Sequence, residues 1–123
     1  MAHYLLWMDH EHGTLFKYSP GKQEVLHLKN KHHKNHHTSN QEGEKDENLK
    51  KFWADIEKSI ADASHILLVG PGLAKTEFKK YLETHHAKGL AKKIIGVETM
   101  GKASDGEIQN MARKYFHEFN LFH

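Results

Sequence analysis

Four consecutive aliphatic residues, Ile66-Leu67-Leu68-Val69, followed at once by Gly70-Pro71-Gly72, constrain this chain more than any other stretch. A run with no polar alternation, partly β-branched and stopped by glycine and proline, reads as a strand buried on both faces. Such a strand needs helices above and below it, so the sequence predicts an α/β protein with a parallel centre.

The flanking segments supply the remaining elements. Tyr4-Leu5-Leu6-Trp7-Met8 and Thr14-Leu15-Phe16-Lys17-Tyr18 read as two strands, with Gly13 at the turn between them. Ser19-Pro20-Gly21-Lys22 is a second turn, because proline presets one backbone angle and glycine permits positive φ at the next position. Glu24-Val25-Leu26-His27-Leu28 then completes an antiparallel meander. Leu49, Phe52, Trp53, Ile56 and Ile60 recur at steps of three and four, which predicts an amphipathic helix over about residues 47–63. Phe78, Tyr81 and Leu82 mark a second helix over about 75–85, and Ile94, Ile95 and Val97 a fifth strand. Ser104-Asp105-Gly106-Glu107 is a capping box that opens a closing helix with Ile108, Met111, Ala112, Tyr115, Phe116 and Phe119 on its buried face. The expected order is β-β-β-α-β-α-β-α, a five-stranded mixed sheet in three layers.

At 123 residues the chain fits a single domain, residues 1–123. With 37% hydrophobic and 28% charged residues it has enough apolar surface for a small core under a heavily solvated surface. There is no cysteine, which removes disulfides, thiolate nucleophiles and cysteine-ligated zinc. The apolar run at Tyr4-Leu5-Leu6-Trp7-Met8 ends in Asp9-His10-Glu11, too short for a signal core or a membrane span, so a soluble, cytoplasmic protein with no membrane partner is expected. Thirteen histidines are the outlying number. About a quarter of ordinary histidines carry a proton at pH 7, so the true charge sits a few units above the formal +2 and suits an anionic partner.

Most of those histidines' interest lies in residues 29–48, which hold no large apolar anchor and read as an exposed loop. Its first half carries Lys29, Lys31, His32, His33, Lys34, His36 and His37, its second half Glu42, Glu44, Asp46 and Glu47. Acids just before a helix favour its positive N-terminal end.

A three-stranded meander followed by alternating helices and strands is the connectivity of the ribonuclease H-like fold. More specifically the chain resembles the middle domain of the class-1 peptide-chain release factor of eukaryotes and archaea and of its ribosome-rescue relative Pelota, including short stand-alone bacterial proteins of that superfamily. The resemblance is carried by Asp9-His10-Glu11-His12-Gly13 after the opening strand, the polar loop after strand three, the stretch His65-Ile66-Leu67-Leu68-Val69-Gly70-Pro71-Gly72-Leu73-Ala74-Lys75-Thr76-Glu77-Phe78, and Ile94-Ile95-Gly96-Val97-Glu98-Thr99. In the release factors, the loop after the third strand bears the Gly-Gly-Gln that promotes peptidyl-tRNA hydrolysis. This chain has no Gly-Gly-Gln, and the corresponding stretch runs through Lys31-His32-His33-Lys34-Asn35-His36-His37, so hydrolysis is not carried over.

The resemblance implies a ribosome- or RNA-associated, non-catalytic module, with tRNA or rRNA as partner. Lys29, Lys31, His32, His33, Lys34, His36, His37 and Lys75 are the expected contacts, since imidazoles stack on bases and lysines meet phosphates. A mobile solvated loop is the plain alternative. The metal alternative uses His32/His36 and His33/His37, which pair at i, i+4 if helical, but lysine and asparagine between them and the absence of a clear third ligand disfavour a compact site. Gly70-Pro71-Gly72 ahead of Lys75 could offer backbone N–H groups and an ammonium to an anion, although such glycines more often serve only the turn. The P-loop spacing is absent. Nuclease chemistry would need several carboxylates around two metal ions, and only Asp9 stands at a suitable strand end. Lysines 79, 80, 88, 92 and 93 form a basic region around the second helix, able to meet phosphates or simply to solvate it. No cofactor is expected, and an edge strand could pair with a second copy.

Overall fold

The structure is a computed structural model, and it describes residues 2–19, 21–31, 42–85 and 89–122. Its elements are β1 (His3–Met8), β2 (His12–Ser19), β3 (Lys22–Lys29), α1 (Glu42–Ser59), β4 (His65–Gly70), α2 (Ala74–Thr84), a 3₁₀ turn (Leu90–Lys93), β5 (Ile94–Thr99) and α3 (Asp105–Phe122). The five strands form one mixed sheet in the order β3-β2-β1-β4-β5. β2 lies antiparallel to both β1 and β3, whereas β1, β4 and β5 run parallel.

β1 and β4 occupy the centre, and their continuous apolar runs are explained by burial on both faces. Tyr4, Leu6 and Met8 of β1 and Ile66 and Leu68 of β4 point to the side covered by Phe52, Trp53, Ile56 and Ile60 at and beyond α1 and by Phe78 and Leu82 of α2. Leu5, Trp7, Leu67 and Val69 point to the other side, where Ile108, Ala112 and Phe116 of α3 cover them. Alternation at period two thus gives one strand two cores. Fully burying one such leucine or phenylalanine contributes about 1.5–3 kcal/mol.

Two helix boundaries differ from the sequence reading. α1 starts at Glu42, not near residue 47, so the acidic stretch expected to precede the helix forms its opening turns. A helix N-terminus accepts acids within its first turn as well as before it, which is why the charge pattern did not fix the start. α1 also ends at Ser59, and Ile60 and Ala63 reach the core from a turn closed by Ala63 N–H on Ile60 O at 3.0 Å. The 3₁₀ turn before β5 has no counterpart in the periodicity. Trp7, Trp53, Phe78 and Phe116 are buried, as their phases require, and Tyr115 is half-buried.

Candidate nucleic-acid interface

All the parallel strands end at one edge of the sheet, which is where open α/β sheets present their ligands. β1 ends there at Met8, β4 at Gly70 and β5 at Thr99, and β3, antiparallel to β2, also finishes there at Lys29. Lys29, Asn30 and Lys31 therefore lie at this edge.

A turn, a clamp and two ion pairs shape it. Asp9 Oδ1 accepts the Glu11 and His12 backbone N–H groups at 2.8 and 2.6 Å, folding the β1–β2 turn around its own carboxylate. Asn30, 5% exposed, then clamps the end of β3 onto that turn: its N–H donates to Glu11 O at 2.8 Å and its side-chain amide to His10 O at 3.4 Å. Two imidazole–carboxylate pairs tie the meander to the helices. His10 Nε2 lies 2.8 Å from Glu77 Oε1 on α2, and His27 Nε2 lies 2.9 Å from Asp105 Oδ2 on α3. Both pairs are exposed, so each fixes orientation more than it stabilises. Asp9, the one carboxylate considered for metal chemistry, is thus engaged in building a turn.

Beside the turn a cleft of about 390 Å³ opens between Trp7, Thr14, Pro71 and Ile108. Its rim carries Asp9, Glu11 and Asp105 against His12 and Lys102, a mixed set with no strong sign. Trp7 Nε1–H is bonded to Gly101 O at 3.2 Å, which holds the indole in the wall.

Of the residues expected to contact nucleic acid, Lys29 and Lys31 stand exposed at the exit of β3. His32, His33, Lys34, His36 and His37 lie outside the described residues, as does Lys88. Lys75 departs from its expected role. It is 5% exposed, and its Nζ donates to Gly72 O at 2.6 Å, so the ammonium closes the turn instead of facing a partner. The physical reason is its phase: Ala74, Lys75, Phe78 and Leu82 share the buried stripe of α2. Gly70 is likewise structural, because a Cβ there would collide with the Met8 carbonyl oxygen, and its own carbonyl accepts Met100 N–H at 3.1 Å. Gly72, at φ 61, supplies the left-handed residue of the turn. Among the described residues no group of three or more histidine and acidic side chains is arranged to hold a metal ion. None of their helices is long and apolar enough to cross a membrane. Asn30 escaped the sequence reading because an asparagine in a polar run looks like any other loop residue.

No family model and no curated protein matches the sequence. Solved structures do resemble the fold. Pelota from Archaeoglobus fulgidus superposes with a TM-score of 0.65 at 16% identity, over 98% of this chain and 34% of that one. The Thermoplasma acidophilum Pelota protein gives 0.60 at 15%, over 88% and 30%. The archaeal translation termination factor aRF1 gives 0.57 at 17%, over 98% and 40%. The chain therefore spans well under half the length of each, and at these identities the likeness establishes a Pelota/aRF1-like α/β domain fold.

Proposed function

We propose that this chain is a non-catalytic, translation-related binding module that associates with ribosomes or RNA in the cytoplasm. It is read as a domain of the release-factor middle-domain type, built on the ribonuclease H-like arrangement. The observation that carries the reading is the fold likeness of nearly the whole chain to Pelota and aRF1. The position of Lys29 and Lys31, where β3 leads into the lysine- and histidine-rich stretch, supports a phosphate-directed arm at that edge. Lacking Gly-Gly-Gln, the chain has no counterpart of the tripeptide that the resemblance links to peptidyl-tRNA hydrolysis. Lys75 contributes by shaping the edge and not by contact.

The test is cosedimentation with ribosomes and tRNA binding across a salt series, for the wild type and for a variant with Lys29, Lys31 and Lys34 changed to Glu. Salt-sensitive association that the variant loses, without release of peptide from peptidyl-tRNA, is expected. Absence of both associations at low salt, where phosphate contacts are strongest, would defeat the reading.

A further inference from the structure

We infer that the groove between α2, the 3₁₀ turn and β5 is a second RNA-contacting surface, which holds phosphates without reading sequence. The inference rests on the RNA reading above and extends it to a face that reading leaves unused. The groove, about 590 Å³, is lined by Lys79, Leu82, Glu83, Ala91, Lys92 and Ile94. Gly89, at φ 77, turns the chain into the 3₁₀ segment and so brings Lys92 to the side of α2 that carries Lys79.

Neither lysine has an ion-pair partner among the described residues, so two ammonium groups share one concave surface with the single carboxylate of Glu83. Concavity concentrates such a field and raises its pull on an anion. Lys93, by contrast, is among the charges that, after the Tyr4 hydrogen bond and with Lys17, hold the Asp62 carboxyl below its ordinary value. Lysine is a point charge on a flexible stem, and Leu82, Ala91 and Ile94 form an apolar floor along which such stems can lie. No arginine fork is present there: Arg113, the only arginine in the chain, sits on α3 with its Nη2 on Asn110 Oδ1 at 2.6 Å. Phosphate positioning, not base readout, is what such a surface can do.

A polymer fits better than a small phosphate. The groove lies where β5 begins, and Lys29 and Lys31 lie at the opposite ends of the strands. Strands of this length separate the two places by at least roughly 20 Å. One ion cannot touch both, but an RNA stem or strand can.

The experiment is fluorescence anisotropy of the full chain with labelled tRNA over a salt series. It compares the wild type with Lys79→Glu/Lys92→Glu, with Glu83→Gln, and with Lys114→Glu as a charge control on the exposed side of α3. Thermal melts check that each variant folds. The groove reversal is expected to weaken binding roughly tenfold and to lower the slope of log affinity against log salt by about 1–2, beyond any change in the control. Glu83→Gln should tighten it about twofold. Groove variants that bind like the wild type, or lose no more than Lys114→Glu does, overturn the groove while leaving the arm at Lys29 standing. Preference for a polyglutamate peptide over tRNA at equal charge also overturns it. A wild type that binds no RNA at low salt defeats the function and the groove together.

Discussion

The Lys75 ammonium donates to the Gly72 carbonyl at 2.6 Å, three residues upstream, within a turn that leaves only 5% of Lys75 exposed. A charge-assisted bond of this kind contributes about 1.5–3 kcal/mol, but part of that is offset by taking the ammonium out of water. Lys75→Met keeps the buried stem and loses the bond, so a net cost of about 1 kcal/mol in urea unfolding is expected. Lys75→Ala adds a cavity and should cost about 2 kcal/mol or more. RNA affinity should be unchanged in Lys75→Met. A folded Lys75→Met protein that no longer binds RNA would show the amine to be a ligand contact after all.

Two glycines of the sheet should respond differently to a methyl group. At Gly70, φ is 153 and a Cβ would meet the Met8 carbonyl oxygen, a backbone atom fixed by its place in the central strand. Gly70→Ala is therefore expected to cost about 3 kcal/mol or more, read as loss of the folded baseline or a large drop in Tm. At Gly96 the new methyl would meet the Tyr115 hydroxyl, which can move once its 3.4 Å bond to Ile95 O is given up. Gly96→Ala should cost about 1–2 kcal/mol, and Tyr115→Phe in the same chain should recover part of it. Strict additivity of the two substitutions would contradict this account.

The contrast between these positions also explains what the sequence disclosed. The runs at β1 and β4, the Pro-Gly turn before β3 and the capping box of α3 are local signals, each decided by neighbours a few residues away. Lys75 was legible in principle, since it stands three residues before Phe78 and seven before Leu82 on one helical stripe, but its charge argued for solvent. His10 with Glu77 and His27 with Asp105 are separated by 67 and 78 positions, so no spacing rule reaches them. The basic stretch after β3 was visible as composition. The lysine groove was visible only as scattered lysines, because the turn at Gly89 that gathers Lys79 and Lys92 has no hydrophobic period.

The cap of α3 gives a cleaner test of local reading. Ser104 Oγ accepts the Glu107 N–H at 3.2 Å while Glu107 Oε1 accepts the Ser104 N–H at 3.0 Å, the reciprocal pattern of a capping box. Ser104→Ala should cost about 1 kcal/mol in thermal or urea unfolding. The bonds from the Ser104 backbone and side chain hold the Glu107 carboxyl below its ordinary value. A depressed carboxyl contributes stability above its unfolded pKa and loses it as pH falls through the folded value. The Ser104→Ala penalty should therefore shrink on acidification below about pH 4, and a penalty constant from pH 7 to pH 3 would argue against the carboxylate's part in the cap.

At the opposite edge of the sheet, His3 and His65 begin the paired strands β1 and β4 with their Nδ1 atoms 3.1 Å apart. The His3 ring also stacks on Phe116 at 5.1 Å, and His65 lies against Phe119 at 4.9 Å. Burial first, then the neighbouring His65 and the amino-terminal charge, hold the His3 imidazole below its ordinary value. The His65 ring facing it at 3.1 Å adds to what burial does against placing a proton on the His3 imidazole. Because the unfolded chain takes up that proton more readily, the stability this site contributes is fully present above about pH 6.5 and is lost as pH falls through the depressed folded value. Urea unfolding between about pH 7.5 and pH 5 should show stability declining with acid, and His3→Phe, which keeps a ring on Phe116 but cannot titrate, should flatten that decline. An identical pH slope in His3→Phe would place the titrating group elsewhere, since the substitution removes the imidazole whose protonation burial disfavours.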